Sequence, residues 1–564
     1  MLRQAVPLAC LAVVLTGCVV EPPPEPAPAG VDGGAASDGQ AGADTLDAAA
    51  PADAQDAATA RFSPDATPPW PTAAAALPPC TPTPGALDLP ALATSGDLEL
   101  TTDGFQSAIG VDELIDVRIR QAGSTDTDTK AKGPLTVTPD TGMKVVQVGK
   151  VSDGVAVIQV RFETPGKHKL VLTLPDGRKG EAELFAYATA LAVWEVEIAT
   201  PDFFVMMTNP YDKKYFPVTL KAEGKTFAGT EMRLHGGASA EFPKKNLRFN
   251  LADGQKLASG ERKLVLRGEY NDKTMLRSWL GYEVFRQATW LPAPKSAFVH
   301  LRINGRYYGL MHQVQRIGGD FLAQWGRDPD GLLYEADPPV ELANNPGGNL
   351  TPLAPELYSK VYQAHAGATS FAPLAEFIEK SLQKPDAAFF AELDTFLKLD
   401  DYLAYTAGMA VLQNHEHIRK NFLLYRDPKG KDPRWEVFAW DLDLTLGHLW
   451  TEKFDVHDET LFTDRPLDVG AKKPEHDFYN QLYRTLNHPP YRARFEAAVK
   501  KVAAIALDPA FIDSRLAWYQ CRVGPDLVAD RKKRATLAEY PARVEEIRTF
   551  AKARKAFILN EIGK

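Results

Sequence analysis

From Val193 to about Tyr334 the chain reads as strand after strand, and beyond Pro352 it reads mostly as helix. This change of hydrophobic period constrains the fold more than any other feature. It calls for an α+β protein in which a β-rich lobe precedes a helical one. One helix is expected in the first lobe, near Met275 to Gln287. In the second, helices are expected over Pro355 to Ala366, Pro373 to Leu382, Ala387 to Leu397 and Asp400 to Leu412. Others follow near Phe478 to Leu486 and over Tyr491 to Ile505, Pro509 to Asp530 and Pro541 to Ile562. Two expected strands, Asn421 to Tyr425 and Arg434 to Ala439, interrupt them.

The second of these strands runs into Trp440-Asp441-Leu442-Asp443-Leu444-Thr445-Leu446-Gly447. Two carboxylates at a strand end suit a divalent cation, because hard cations take oxygen ligands. Asn421 opens the neighbouring strand, and an Asn and an Asp on successive strands are how protein kinases hold magnesium. Acids at a strand end also cap turns, so Asp-x-Asp alone leaves both readings open. A β-rich lobe, a helical lobe and acids at their junction match a bilobal kinase plan at the level of fold analogy.

The N-terminus reads as an export signal. Arg3 precedes an apolar run, Pro7 to Thr16, that is too short to span a membrane. Leu15-Thr16-Gly17-Cys18 then reads as a lipobox, so residues 1–18 are expected to be a lipoprotein signal with Cys18 as the lipidated residue. Val19 is not Asp and does not argue for inner-membrane retention. The expected location is the cell envelope, on the extracytoplasmic side, with the outer membrane or cell surface favoured. Cys10 would leave with the signal. Cys80 and Cys521 then either pair or stay as free thiols.

Residues 19–84 are rich in Ala, Pro, Asp and Gly and read as a disordered tether. Residues 85–190 show short alternating strands, such as Val155 to Phe162 and Lys169 to Leu174, with a turn at Asp176-Gly177. This is the pattern of a small all-β, immunoglobulin-like sandwich. It has no acid or histidine cluster, so a spacer or docking role is expected. Residues 191–564 make up the last domain. A net charge of −9 without a long basic run argues against nucleic acid as a partner.

Four further segments bear on chemistry. His235-Gly236-Gly237-Ala238-Ser239, followed by Pro243-Lys244-Lys245, could cradle phosphates: small residues let backbone N–H groups approach and a lysine neutralises charge. It also fits a plain turn with a solvated lysine pair. Asp272 and Arg277 read as a capped helix start. Asn304 to Gly309 reads as a hairpin with Asn-Gly at its turn. His415-Glu416-His417 lacks the His-Glu-x-x-His spacing of a zinc hydrolase.

The first three of these segments, with Asn421 to Tyr425 and Trp440 to Gly447, resemble, in order, the motifs of the CotH family of spore-coat-type, atypical protein kinases. The resemblance spans Val193 to Ile562. It implies a bilobal kinase-like domain that transfers the γ-phosphate of ATP to Ser of secreted or surface proteins, with Mg2+ or Mn2+. By position, Lys245, Gly236, Gly237, Ser239 and Gln315 would lie at the nucleotide, Asn421, Asp441 and Asp443 at the metal, and Glu416 at the accepting hydroxyl. Lys245, Asp441 and Glu416 would be the catalytic residues. The chain departs from the family pattern at His235 (usually Arg), Gly237-Ala238 (Asn-Ser), Gln315 (Glu) and Glu416 (Asp). If the usual Glu pairs with the lysine, Gln315 weakens that pair. The alternative is therefore a catalytically degenerate surface, adhesion or assembly lipoprotein that keeps the fold.

Overall fold

The computed structural model describes residues 75–77, 80, 94–100, 106–339, 342, 348–414, 416–417, 419–449, 457 and 481–562. The expected signal, Cys18, most of the tether and His415 lie outside them. The chain is α+β, as its periodicities require.

Nine strands come first: β1 (Thr94–Gly96), β2 (Leu98–Leu100), β3 (Gln106–Ala108), β4 (Asp112–Ile119), β5 (Thr136–Pro139), β6 (Met143–Val148), β7 (Val155–Phe162), β8 (Gly166–Thr173) and β9 (Lys179–Tyr187). They form two sheets, β2-β4-β7-β6 and β1-β9-β8-β5, with β3 added parallel to β9. β4 alternates between half-buried and buried positions along its length. Its Ile115, Val117 and Ile119 meet Leu170, Leu172 and Leu184 of the other sheet in one core.

The next strands are β10 (Ala192–Ile198), β11 (Phe216–Ala222), β12 (Lys225–His235), β13 (Asn246–Asn250), β14 (Lys263–Arg267), β15 (Ser296–Ile303) and β16 (Arg306–Gln315). They close into a barrel in the order β10-β11-β12-β13-β14-β16-β15. Closure comes from parallel pairing of β10 with β15, where Val193 faces His300. The hairpin at Asn304-Gly305 takes positive φ at both turn residues, as a two-residue turn between twisted strands requires. It also docks on the first unit: Gly305 O accepts from Leu114 N at 3.1 Å, and Arg306 pairs with Asp116 at 2.6 Å.

Two short helices appear where none was expected, Thr200–Thr208 and Gly319–Gln324. The first carries Pro201 in its first turn and packs Phe203, Met206 and Met207 against the barrel core. Its apolar residues run consecutively, which hid the helical period.

Helix Arg277–Ala288 lies where expected and is buried over most of its length. Asp272 holds its first turn by accepting from Leu276 N (3.0 Å) and Arg277 N (2.8 Å) and by pairing with the Arg277 guanidinium (2.6 Å).

The remaining strands, β17 (Leu332–Ala336), β18 (Tyr362–Ala366), β19 (Phe422–Arg426) and β20 (Glu436–Ala439), form the sheet β18-β17-β19-β20. The helix expected over Pro355 to Ala366 stops at Val361; its last five residues are β18, which covers the edge of β17. Helices Asp386–Phe396, Leu399–Leu412, Pro489–Ala506, Pro509–Ala529 and Tyr540–Glu561 complete this part. Its core is continuous with Phe298, Leu310 and Val314 on the outside of the barrel. Cys80 is disulfide-bonded to Cys521 in helix Pro509–Ala529. Arg515 of that helix donates to Ala75 O at 2.6 Å. Among the described residues no helix is long and apolar enough to cross a membrane.

Candidate active site

The β19–β20 hairpin brings the signature acids beside Asn421. Phe422 pairs with Ala439, so Asn421 and Asp441 leave the sheet at the same end. Both take left-handed backbone, with φ of 62° and 54°. That conformation costs an L-residue roughly 1 kcal/mol or more and persists only where the surroundings fix it.

Gln413, also left-handed, ends helix Leu399–Leu412. In the following turn Asn414 Oδ1 accepts from Glu416 N and His417 N, each at 3.0 Å. Glu416 is thereby fixed facing Asn421: its Oε2 accepts from Asn421 Nδ2 at 2.7 Å, and its Oε1 pairs with Lys420 at 2.6 Å. Burial works against the Lys420 charge, but Glu416, and with it Asp441 and Asp443, outweighs burial and raises its pKa. The structure thus brings together Glu416, Asn421, Asp441 and Asp443. His417 turns away from the group, its Nδ1 on Asn414 O at 2.7 Å, and burial lowers its pKa to about 4.

The cation that faces the acids is one the motif reading passed over. Arg267, the last residue of β14, reaches Asp441 at 2.6 Å, Asp443 at 3.6 Å and Glu269 at 3.1 Å. Burial opposes its charge, yet Asp441, Glu269 and Asp443 outweigh burial and raise its pKa. Glu269 also meets His312 Nδ1 at 2.9 Å. The sequence did hold a signal for Arg267: a charged residue closing the apolar strand Leu264-Val265-Leu266 has to find a counter-charge if the strand is buried.

Negative charge still dominates. Burial and the neighbouring Asp441 hold the Asp443 carboxyl well above the usual carboxylate range, against the pull of Arg267. Asp337, beyond β17, is raised to about 6 by burial and by Glu335.

The remaining expected residues are placed as follows. Gly236 takes backbone that strains other residues (φ +103°), and a Cβ there would lie 2.1 Å from Ser239 Oγ, which would have to turn aside. Ser239 Oγ lies 3.3 Å from Asn246 Nδ2, and Asn246 Oδ1 accepts from Gly268 N at 2.7 Å, so the small-residue loop is tied to the end of β14. Lys245 Nζ donates to Ala240 O at 2.6 Å in that loop. Lys244 points inward and is fully buried against Asp530.

Gln315 is not near Lys245. It pairs with Leu264, which pairs with Phe249, four residues and about 13 Å along β13 from Lys245. Its side chain accepts from Lys295 N (3.1 Å) and donates to Gln324 Oε1 (2.9 Å). The expected pairing of position 315 with the lysine is not made, so a missing charge there does not weaken it.

Among the described residues no three His, Cys, Asp or Glu side chains converge as a ready-made ion cage. Asp441 and Asp443 with the Asn421 amide instead supply two carboxylates and a neutral oxygen. Magnesium commonly uses such a partial set when substrate phosphates complete its shell. Burial first, and then Asp441, favour the protonated form of Asp443, and a divalent cation would favour its ionised form.

A family model described as CotH kinase protein matches residues 232–558, more than half of the chain. The chain is also 20% identical to the inner spore coat protein H of Bacillus subtilis (strain 168) over 377 residues, which cover 66% of this chain and 98% of that protein.

Proposed function

Because the chain belongs to the CotH family, we propose that it is an ATP-dependent protein kinase of the cell envelope that phosphorylates Ser of secreted or surface proteins. The observation that carries this reading is the convergence of Glu416, Asn421, Asp441 and Asp443 at one end of the β19–β20 hairpin. In this reading residues 191–564 are a bilobal kinase-like domain, with the barrel as the first lobe. The two-sheet unit is an immunoglobulin-like spacer that docks through the Asn304-Gly305 hairpin.

Asp441, Asp443 and Asn421 Oδ1 would hold Mg2+ or Mn2+. The ion would supply charge neutralisation at the transferring phosphoryl group. Glu416, held by Asn421 and Lys420, would accept a hydrogen bond from the acceptor hydroxyl. Glu is one methylene longer than the usual Asp, and the two partners fix its reach. Lys245, Gly236, Gly237 and Ser239 would border the nucleotide; a phosphate is a better acceptor for Lys245 Nζ than the Ala240 carbonyl it now contacts. Gln315 stays out of this assignment, being held by Lys295 and Gln324. Residues 1–18 are proposed as a lipoprotein signal with Cys18 as the anchor, and residues 19–84 as a tether.

One observation favours a second reading, a surface or assembly protein that keeps the fold without transfer. Arg267 already faces both acids, in the electrostatic role a metal would play. Calorimetric titration of the protein with ATP, with and without Mg2+ or Mn2+, separates the two. The kinase reading expects metal-dependent binding that weakens at least about tenfold in Asp441→Asn and in Asp443→Asn. No binding by the folded protein with either metal supports the second reading.

A further inference from the structure

The outer face of the barrel carries positive charge that the site above does not use. On β12, β13 and β14, Met232, Leu234, Leu247, Phe249, Leu264 and Leu266 belong to the barrel core. Alternation therefore turns Arg233, His235, Arg248, Lys263 and Arg267 outward. Register arranges them in rows. His235 faces Asn246 in the row of Arg267, Arg233 faces Arg248 in the next, and Asn250 faces Lys263 in the third. Each row is two residues, about 7 Å, from the last. Arg316, just past β16, and Lys213, just before β11, join this face from its sides.

Among the described residues none of Lys213, Arg233, Arg248, Lys263 and Arg316 forms an ion pair. Arg233 donates to Leu234 O at 2.8 Å and lies 5.2 Å over the Tyr215 ring. Arg316 meets His365 Nδ1 at 3.1 Å. Arg248 Nε is buried without a partner. The nearby carboxylates are Glu335, which His365 Nε2 contacts at 2.8 Å, and Asp337.

The local potential is accordingly positive. Burial pushes the Tyr215 phenol up, yet Arg233 and Arg248 pull it below its ordinary value. Burial and then Arg248 lower Arg316 to about 10. Half-buried cations without counter-ions are costly to keep unless a ligand supplies the charge.

We propose that this stripe is a docking track for an acceptor polypeptide carrying oxyanions, either acidic or already phosphorylated side chains, next to the serine to be modified. The proposal rests on the kinase reading of the acids. Three features favour such an acceptor. The stripe starts in the row of Arg267, which holds Asp441, and leads away from it. Its row spacing of about 7 Å matches the spacing of alternate side chains on an extended peptide. Three of its cations, Arg233, Arg248 and Arg316, are also half-buried, where a planar lipid surface does not reach.

The test is fluorescence anisotropy on the full protein. The probes are three labelled peptides with one serine flanked at alternate positions by Glu, by phosphoserine or by Lys, with and without ATP and Mn2+. The Glu and phosphoserine peptides are expected to bind about tenfold or more tighter than the Lys peptide at low salt. A preference between them tells acidic from phosphorylated acceptors. Arg248→Gln with Lys263→Gln is expected to remove most of that preference, as is Lys213→Gln with Lys263→Gln, whose exposed positions leave folding intact.

Equal binding of the Glu and Lys peptides overturns the proposal. So does loss of ATP binding in the variants with peptide binding unchanged, because the stripe would then serve the nucleotide. Binding to phosphatidylserine vesicles without peptide binding overturns it as well. Peptide binding is read without nucleotide. Its failure beside intact Mn2+-dependent ATP binding removes the track and leaves the kinase reading standing.

Discussion

Arg267→Gln tests the electrostatics of the acid site most directly. The guanidinium is almost wholly buried and faces three carboxylates: Asp441 at 2.6 Å, Glu269 at 3.1 Å and Asp443 at 3.6 Å. At an effective dielectric constant of about 20, opposite unit charges about 3 Å apart attract by roughly 5 kcal/mol. The cost of burying the guanidinium and the partial exposure of Asp441 offset part of the summed attraction. What remains should fall in the range for a buried pair losing one member, about 3–5 kcal/mol. The entropy of unfolding for the barrel and helical parts together is on the order of 0.7 kcal/mol/K, so the melting temperature should drop by about 4–7 °C. Metal supplies the second half of the test. If Asp441 and Asp443 hold a divalent ion, Arg267 competes with it, and the variant should gain more from Mn2+ than the parent does. At one hundred times its dissociation constant the ion would restore about 2.7 kcal/mol. Differential scanning calorimetry with and without Mn2+ reads both effects. A melting temperature unchanged to within about 1 °C would refute the claim that Arg267 holds the acids. An equal Mn2+ shift in variant and parent would refute the acids as a metal site.

Two further outcomes follow from groups outside the site. Burial raises Glu261 to about 7, against hydrogen bonds from Gln313 and Ser259. A raised carboxyl contributes stability below its unfolded pKa and loses it as pH rises through the folded value. Glu261→Gln should therefore be near neutral at pH 4 and gain on the parent through pH 5 to 7, reaching about 3 kcal/mol by pH 8. Urea unfolding across that range checks it, and a pH-independent difference contradicts the assignment. Gly309→Ala should cost about 2–4 kcal/mol, because φ is +149° and a Cβ would stand 3.0 Å from the Asp530 carboxylate. A urea midpoint equal to the parent's would show that the strand can shift to make room.

What was legible in the sequence was what repeats locally. The change from strand to helix, the Asp272 cap, the Asn304-Gly305 turn and the two strands that present Asn421 and Asp441 all rest on residues a few positions apart. What was not legible depends on partners far along the chain. β10 closes the barrel against β15 through pairs such as Trp194 with Leu301, and no local period announces that. The helix expected to run to Ala366 gives way to β18 because the edge of β17 is there to be paired. Gln315 was expected near Lys245 because kinases pair those positions, but strand register sets them about 13 Å apart. Arg267 carries no local signal for its partners because its counter-charges, Asp441 and Asp443, lie more than 170 residues further along the chain.

The lysine pair shows how much a motif read without its surroundings can mislead. Lys244 and Lys245 are adjacent in the turn that leads into β13, yet their side chains go to different partners. Lys244 takes the inner side. Its ammonium is paired with Asp530, which also accepts from Leu310 N at 3.1 Å and lies against the backbone of Gly309. Tyr308 of the same hairpin accepts from Lys245 N at 3.0 Å. The Pro-Lys-Lys and Asn-Gly-x-Tyr-x-Gly segments therefore recur as neighbours in space, clamped by the residue that ends helix Pro509–Ala529. A small residue is needed at 309 because a carboxylate passes there, and a cation at 244 because that carboxylate is buried. The first lysine and the second glycine of these motifs thus hold the barrel to the end of helix Pro509–Ala529. Of the pair, this leaves only Lys245, half-exposed beside the small-residue loop, as a candidate for contact with phosphate.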